Sequence, residues 1–127
     1  MKRVVETAAA PRPIGPYSQA IDTGALVFCA GQIGLDPATG KLVPGGTAAE
    51  ATQAIANLAA VLQAAGLGLA DVVKTTLFLV DLADGPAVGA IYGAQFPAPH
   101  PARSTVQVAA LPMGARVELE AIAVRRS

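Results

Sequence analysis

Tryptophan is absent from this chain, cysteine and histidine occur once each, and nine basic side chains are cancelled by nine acidic ones. A single cysteine excludes an intrachain disulfide. Cys29 lies in the apolar run Leu26-Val27-Phe28-Cys29-Ala30 and reads as a buried, inert strand residue. The one imidazole, His100, stands between Pro99 and Pro101. With no cysteines or carboxylates clustered around it, it is a loop residue rather than a metal ligand. Balanced charge removes any general electrostatic drive toward nucleic acid or an anionic membrane. Lys2-Arg3 and Arg125-Arg126 are the only basic pairs, and at chain ends they read as frayed and solvated. Neither the GxGxxG nor the GxxxxGK[ST] spacing occurs, which excludes those phosphate-binding loops. No apolar run reaches membrane-spanning length, and Met1 to Pro16 lacks the apolar core of a signal peptide, so a cytoplasmic protein is expected.

Apolar side chains are abundant. They make up 53% of 127 residues against 14% charged. That length suits one domain over residues 1–127 with a core that needs no metal or disulfide. It leaves too little charge to cover an isolated monomer, so self-association is expected.

In chain order, Lys2 to Thr7 alternates weakly and suits an edge strand, ended by Pro11, Pro13 and Pro16. Ile14 to Ala20 is a loop that presents Tyr17, either to a pocket or to packing. Ala20 to Asp22 and Leu26 to Gln32 read as strands joined at Thr23-Gly24, the second apolar enough to be buried on both faces. Asp36 to Gly40 and Pro44 to Gly46 are turns. Thr47-Ala48-Ala49-Glu50 has the capping-box spacing, followed by an apolar stripe of Ile55, Leu58, Val61 and Leu62 ending at Gly66. Val72 to Val80 is a β-branched and aromatic strand. Asp84 suits a cap for a second helix with Val88, Ile91, Tyr92 and Gln95 at helical spacing, weakened by Gly89 and Gly93. A stiff connector, Phe96 to Pro101, leads to the last segment.

That segment reads as a β-hairpin, Ala102 to Leu111 and Ala115 to Val124, around the turn residues Pro112-Met113-Gly114. Arg103, Thr105 and Gln107 share one strand face; Arg116, Glu118 and Glu120 share another. Pairing Leu111 with Ala115 sets Glu118 opposite Val108, too far along the hairpin to reach Arg103. The charges are then either exposed strand residues, or a carboxylate clamp and an acid/base group brought together by sheet curvature or by a second subunit. The full order is β-β-β-α-β-α-β-β, an α+β layer with two helices on one sheet face.

Five blocks, IGPYSQA (14–20), AGQIG (30–34), DVVKTTLFLVDL (71–82), PARSTVQVAALP (101–112) and VELEAIAV (117–124), together resemble the reactive intermediate deaminase (RidA/YjgF-type) family. The resemblance covers nearly the whole chain. It implies a chorismate-mutase-like α+β fold with a mixed sheet, assembled as a homotrimer with ligand clefts between subunits. It also implies hydrolysis of enamines and imines such as 2-aminoacrylate or 2-iminopropionate, released by pyridoxal-phosphate enzymes, to a 2-oxo acid and ammonia. No cofactor, metal, nucleic acid or membrane partner is implied. Position by position, Arg103 matches the arginine that binds the substrate carboxylate, and Glu118 the residue that places water and moves protons. Tyr17 matches a pocket tyrosine, and Gly31 a point of close backbone approach. Glu120 shares the strand face of Glu118, which leaves the two roles exchangeable.

Three positions depart from the family pattern. Thr105 stands where many members carry Cys, Ala30 where Ser is common, and Gly89 where Asn is common; the connector before Pro101 is also short. All belong to the implied ligand-binding wall, so substrate range is what they affect. The alternative they motivate is a non-catalytic trimer that binds small carboxylates in the same cleft. Cleavage of RNA, attached to some relatives, lacks a basic, aromatic-interleaved surface here.

Overall fold

The computed structural model describes residues 1–125. Six strands form one mixed sheet in the order β1-β2-β3-β6-β4-β5. They are β1 (Arg3–Val5), β2 (Ala20–Asp22), β3 (Leu26–Gln32), β4 (Val72–Leu79), β5 (Ala102–Gln107) and β6 (Val117–Val124). Two helices, α1 (Gly46–Ala64) and α2 (Gly85–Gln95), cover one face, as expected. Val117, Leu119, Ala121 and Ala123 of β6 point to that side, where they are at most 3% exposed and pack with Leu58, Val61 and Leu62 of α1. Gly66, with φ 78°, closes α1 in a left-handed turn in which Leu67 N–H donates to Leu62 O at 2.9 Å.

The expected hairpin is not formed. β5 runs parallel to β4, with Thr75 opposite Arg103 and Leu79 opposite Gln107. β6 pairs antiparallel with β4 on one side and β3 on the other. Glu118 therefore lies opposite Phe78, not Val108. β4, α2 and β5 form a β-α-β unit, and such a crossover delivers its second strand parallel to the first. The turn chemistry at 112–114 is real, since Met113 and Gly114 both have positive φ. Its flanks are not two paired strands: β5 ends at Gln107, and the chain from Val108 to Arg116 passes over β4 to enter the sheet between β4 and β3.

The expected helix caps resolve in part: Asp84 stands at the N-cap position of α2 as expected, but its carboxylate bonds no N–H group of that helix. Gly45 occupies the α1 cap position, and no side chain bonds the free N–H groups there. Thr47 Oγ1 instead donates to Asp84 Oδ2 at 3.0 Å, so the two candidate caps tie the starts of α1 and α2 to each other. Arg125 is not a frayed end. It forms an ion pair with Asp22 at 2.7 Å and donates to Ala65 O; Arg126 lies outside the described residues. Finally, β3 is buried on one face only. Phe28 is 43% exposed, and Val4 and Val106 on the same open side of the sheet are 54% and 41% exposed.

Candidate active site

A cavity of about 310 Å³ opens where β3 ends and β6 begins, beside the N-terminal loop, and Tyr17, Ala30, Gly31 and Glu118 line it. Its origin is a bulge in β3. Cys29 pairs with Ala121 and Gln32 with Leu119, so Ala30 and Gly31 together face one residue of β6. The bulge turns Ala30 N–H to Gln19 O at 2.9 Å and lays the Gly31 backbone against the Glu118 side chain. A Cβ at Gly31 would sit 2.7 Å from Glu118 Cδ, so only glycine leaves the carboxyl its place.

Glu118 is half-buried, and no described residue donates a hydrogen bond to its carboxyl. Burial pushes its pKa above the ordinary carboxylate value, and the charge of Glu120 on the same strand face pushes it further. Such a group exchanges protons closer to neutral pH than a solvated glutamate does. Glu120 itself is exposed and lines a separate hollow with Lys74, Thr76 and Ile122. Cys29 behaves as expected: it is buried, and desolvation drives its thiol up to about 12.

The walls of this cavity are held from behind by three buried polar side chains. Gln19, 2% exposed, donates to the carbonyls of Thr7 and Pro11 at 3.1 and 2.9 Å and accepts from Thr7 N–H at 2.7 Å. This staples the proline-rich N-terminal loop. Asn57 of α1 donates to Ile33 O and Leu35 O at 3.2 and 2.9 Å and accepts from Gln53 at 2.8 Å. Glu50, one heptad earlier on the same helix face, accepts from Arg116 N–H at 2.8 Å, fixing the entry to β6 just before Glu118. Glu50, expected to close a capping box with Thr47, turns inward to Arg116 instead, and neither Gln19 nor Asn57 is singled out by sequence reasoning. For Glu50 and Asn57 the signal, a polar residue on the apolar face of α1, is visible only once that face is known.

Arg103 is elsewhere. Its partner Thr75 is fully buried toward the helices, and the Arg103 guanidinium lies over the Tyr92 ring of α2, 4.8 Å from its centroid. Tyr92 is in turn fixed by a 2.7 Å hydrogen bond with Thr75 Oγ1 and by stacking on Phe96. Thr105 follows on the same face of β5, opposite Leu77. Gly89 lies one turn before Tyr92 on α2, and a Cβ there would meet open space. The candidate residues thus fall into two groups on opposite faces of the sheet: Tyr17, Ala30, Gly31 and Glu118 in the cavity, and Arg103, Thr105 and Gly89 around the β5 edge. Tyr92, which aims Arg103, was legible only as a helix position.

Among the described residues no three histidine, cysteine or carboxylate side chains form a group able to hold a metal ion. No helix among them is long and apolar enough to cross a membrane.

These features define a small α+β protein whose reactive groups are divided between a carboxyl-bearing cavity and an arginine-bearing sheet edge. A family model described as Endoribonuclease L-PSP matches residues 7–125, and the chain belongs to this family, the reactive intermediate deaminases that its sequence resembles. A human protein named 2-iminobutanoate/2-iminopropanoate deaminase is 49% identical over 125 residues, 98% of this chain and 91% of the relative. The structure of RidA from a Psychrobacter species matches with a TM-score of 0.94 at 42% identity, over 97% of this chain and 99% of that one. The structure of TdcF from E. coli with bound serine matches with a TM-score of 0.93 at 41% identity, over 98% and 100% of the two chains. The mixed sheet under two helices is the architecture that the resemblance implies.

Proposed function

We propose that this protein hydrolyses enamine and imine acids such as 2-aminoacrylate and 2-iminopropionate to a 2-oxo acid and ammonia, in clefts between the subunits of a homotrimer. The observation that carries the reading is Glu118: a carboxyl of raised pKa in a largely apolar cavity, pressed against backbone that only glycine permits. The names of the relatives supply the reaction class. Arg103 binds the substrate carboxylate through its paired N–H groups. Glu118 gives a proton to the β-carbon of the enamine, forming the iminium, and then takes a proton from the water that attacks the neighbouring carbon, the one that bears nitrogen. Collapse of the resulting carbinolamine releases ammonia and leaves the 2-oxo acid. Positioning of substrate and water supplies much of the acceleration.

Arg103 and Glu118 face opposite sides of one sheet, so a substrate spanning both needs Arg103 from one copy and Glu118 from another. The exposed Phe28 and Val106 on the open sheet face give that assembly an apolar surface to bury.

The test generates 2-iminopropionate from alanine with an amino-acid oxidase and follows imine decay. Acceleration by the natural protein, lost by about a hundredfold or more in Arg103→Ala and in Glu118→Gln, is the expected result. The open space at Gly89 favours one other reading, a trimer that binds small carboxylates without turnover. Protection from unfolding by 2-oxo acids, with no acceleration of imine decay, would establish it. RNA cleavage finds less support: the single histidine, His100, is an exposed loop residue that does not line the cavity.

A further inference from the structure

Arg12 also lines the cavity that holds Glu118 and Tyr17, and among the described residues it is the only cation to do so. Among the described residues its guanidinium makes no hydrogen bond and no ion pair; the one ion pair there is Arg125 with Asp22. Glu6, which borders an adjoining hollow with Arg12, does not approach it within ion-pair distance. Nor does Arg12 neutralise the cavity's own acid, since the influences on Glu118 are burial and Glu120.

The backbone that carries Arg12 is stiff. Pro11 and Pro13 flank it, restricting both neighbours and Arg12 itself. The buried Gln19 amide holds the Pro11 carbonyl at 2.9 Å and the Thr7 carbonyl at 3.1 Å. The backbone that presents this unpaired guanidinium at the cavity wall is therefore ordered in advance, which lowers the entropy cost of engaging a ligand.

We propose that Arg12 is a specificity-determining residue that receives a second carboxylate, so that dicarboxylic imino acids such as 2-iminosuccinate and 2-iminoglutarate are preferred over 2-iminopropionate. The proposal rests on the deaminase reading, in which Arg103 takes the carboxylate next to the reacting carbon. A monocarboxylic substrate leaves Arg12 without a partner. A dicarboxylic one places an anion at each guanidinium, with the imine carbon between them beside Glu118. Bidentate pairing at both ends also fixes the substrate's direction in the cleft.

The experiment compares kcat/KM for 2-iminoglutarate and 2-iminopropionate, each generated in situ by an amino-acid oxidase, in the natural protein, Arg12→Ala and Arg12→Lys. The natural protein is expected to prefer 2-iminoglutarate. Arg12→Ala should cut the ratio of the two kcat/KM values by about tenfold, the scale of one hydrogen-bonded charge, with Arg12→Lys between. An unchanged ratio in Arg12→Ala, or a natural protein with no preference, overturns the proposal. If the natural protein accelerates neither imine, the deaminase reading has failed, and equilibrium binding decides the matter for Arg12. Tighter binding of 2-oxoglutarate than of pyruvate, lost in Arg12→Ala, would support a second-carboxylate site, and equal binding of the two would refute it.

Discussion

At the scale of single residues, Glu118 shows how a group suited to chemistry works against the fold. Its folded pKa lies above the ordinary value of 4.5, so between those two pH values the native state binds more protons than the unfolded chain. Stability contributed by Glu118 is then present below 4.5 and falls as pH rises through the folded pKa. Glu118→Gln, which cannot ionise, is expected to be more stable than the natural protein at pH 7 while losing activity. The gain should shrink on acidification to pH 4. Urea midpoints at the two pH values measure this, and a variant less stable at pH 7 than the natural protein would contradict the origin assigned to the shift. Asp22 has the opposite sign. Its bond from Gly24 N–H, helped by Arg125, holds its carboxyl below the usual range, and the stability it lends is lost only as pH falls through that depressed value.

Among elements, α1 does more than cover the sheet. Its buried face carries Glu50 and Asn57 among alanines and aliphatic residues, and each bonds a backbone segment that borders the cavity. Asn57 is 1% exposed, and removing its side chain strands the carbonyls of Ile33 and Leu35 together with the Gln53 amide. Asn57→Ala should cost about 3 kcal/mol, read from urea unfolding. Asn57→Asp should not rescue it, because a carboxylate accepts where two carbonyls need a donor. The loop 33–35 adjoins Gly31, so a loss of kcat in the folded variant should accompany the loss of stability. The same helix fixes Gly34, where a Cβ would stand 2.6 Å from Glu50 Cα, a contact that backbone cannot relieve cheaply.

For the whole molecule, the division of the candidate groups between two sheet faces yields the sharpest test of assembly. Arg103→Ala and Glu118→Gln should each be inactive alone. Unfolded together and refolded as a mixture, they should regain activity, because about a quarter of the clefts between subunits then draw an intact Arg103 and an intact Glu118 from different copies. A mixture no more active than its components would place both groups' work within one copy. The open sheet face, with Phe28 and Val106 exposed, is where such an assembly would bury apolar surface.

The strands β2, β3 and β4, both helices and the inert thiol of Cys29 were legible in the sequence, because period, β-branching, turn residues and apolar runs are local properties that need no partner. The matching blocks likewise marked Arg103 and Glu118 by resemblance. Tertiary structure alone decided where β5 and β6 lie. A turn-forming Pro-Met-Gly says nothing about which strand lies across from the next, and the β4-α2-β5 crossover took β5 to the sheet edge while β6 entered the middle. Tertiary structure also decided the partners of polar side chains. Asp84 does stand at the N-cap position of α2, yet its carboxylate bonds Thr47 rather than the helix N–H groups, while Glu50 and Asn57 turned inward to backbone far along the chain. Hydrogen-bonding capacity is written in the residue type; the partner is set by which distant groups packing brings within 3 Å or so.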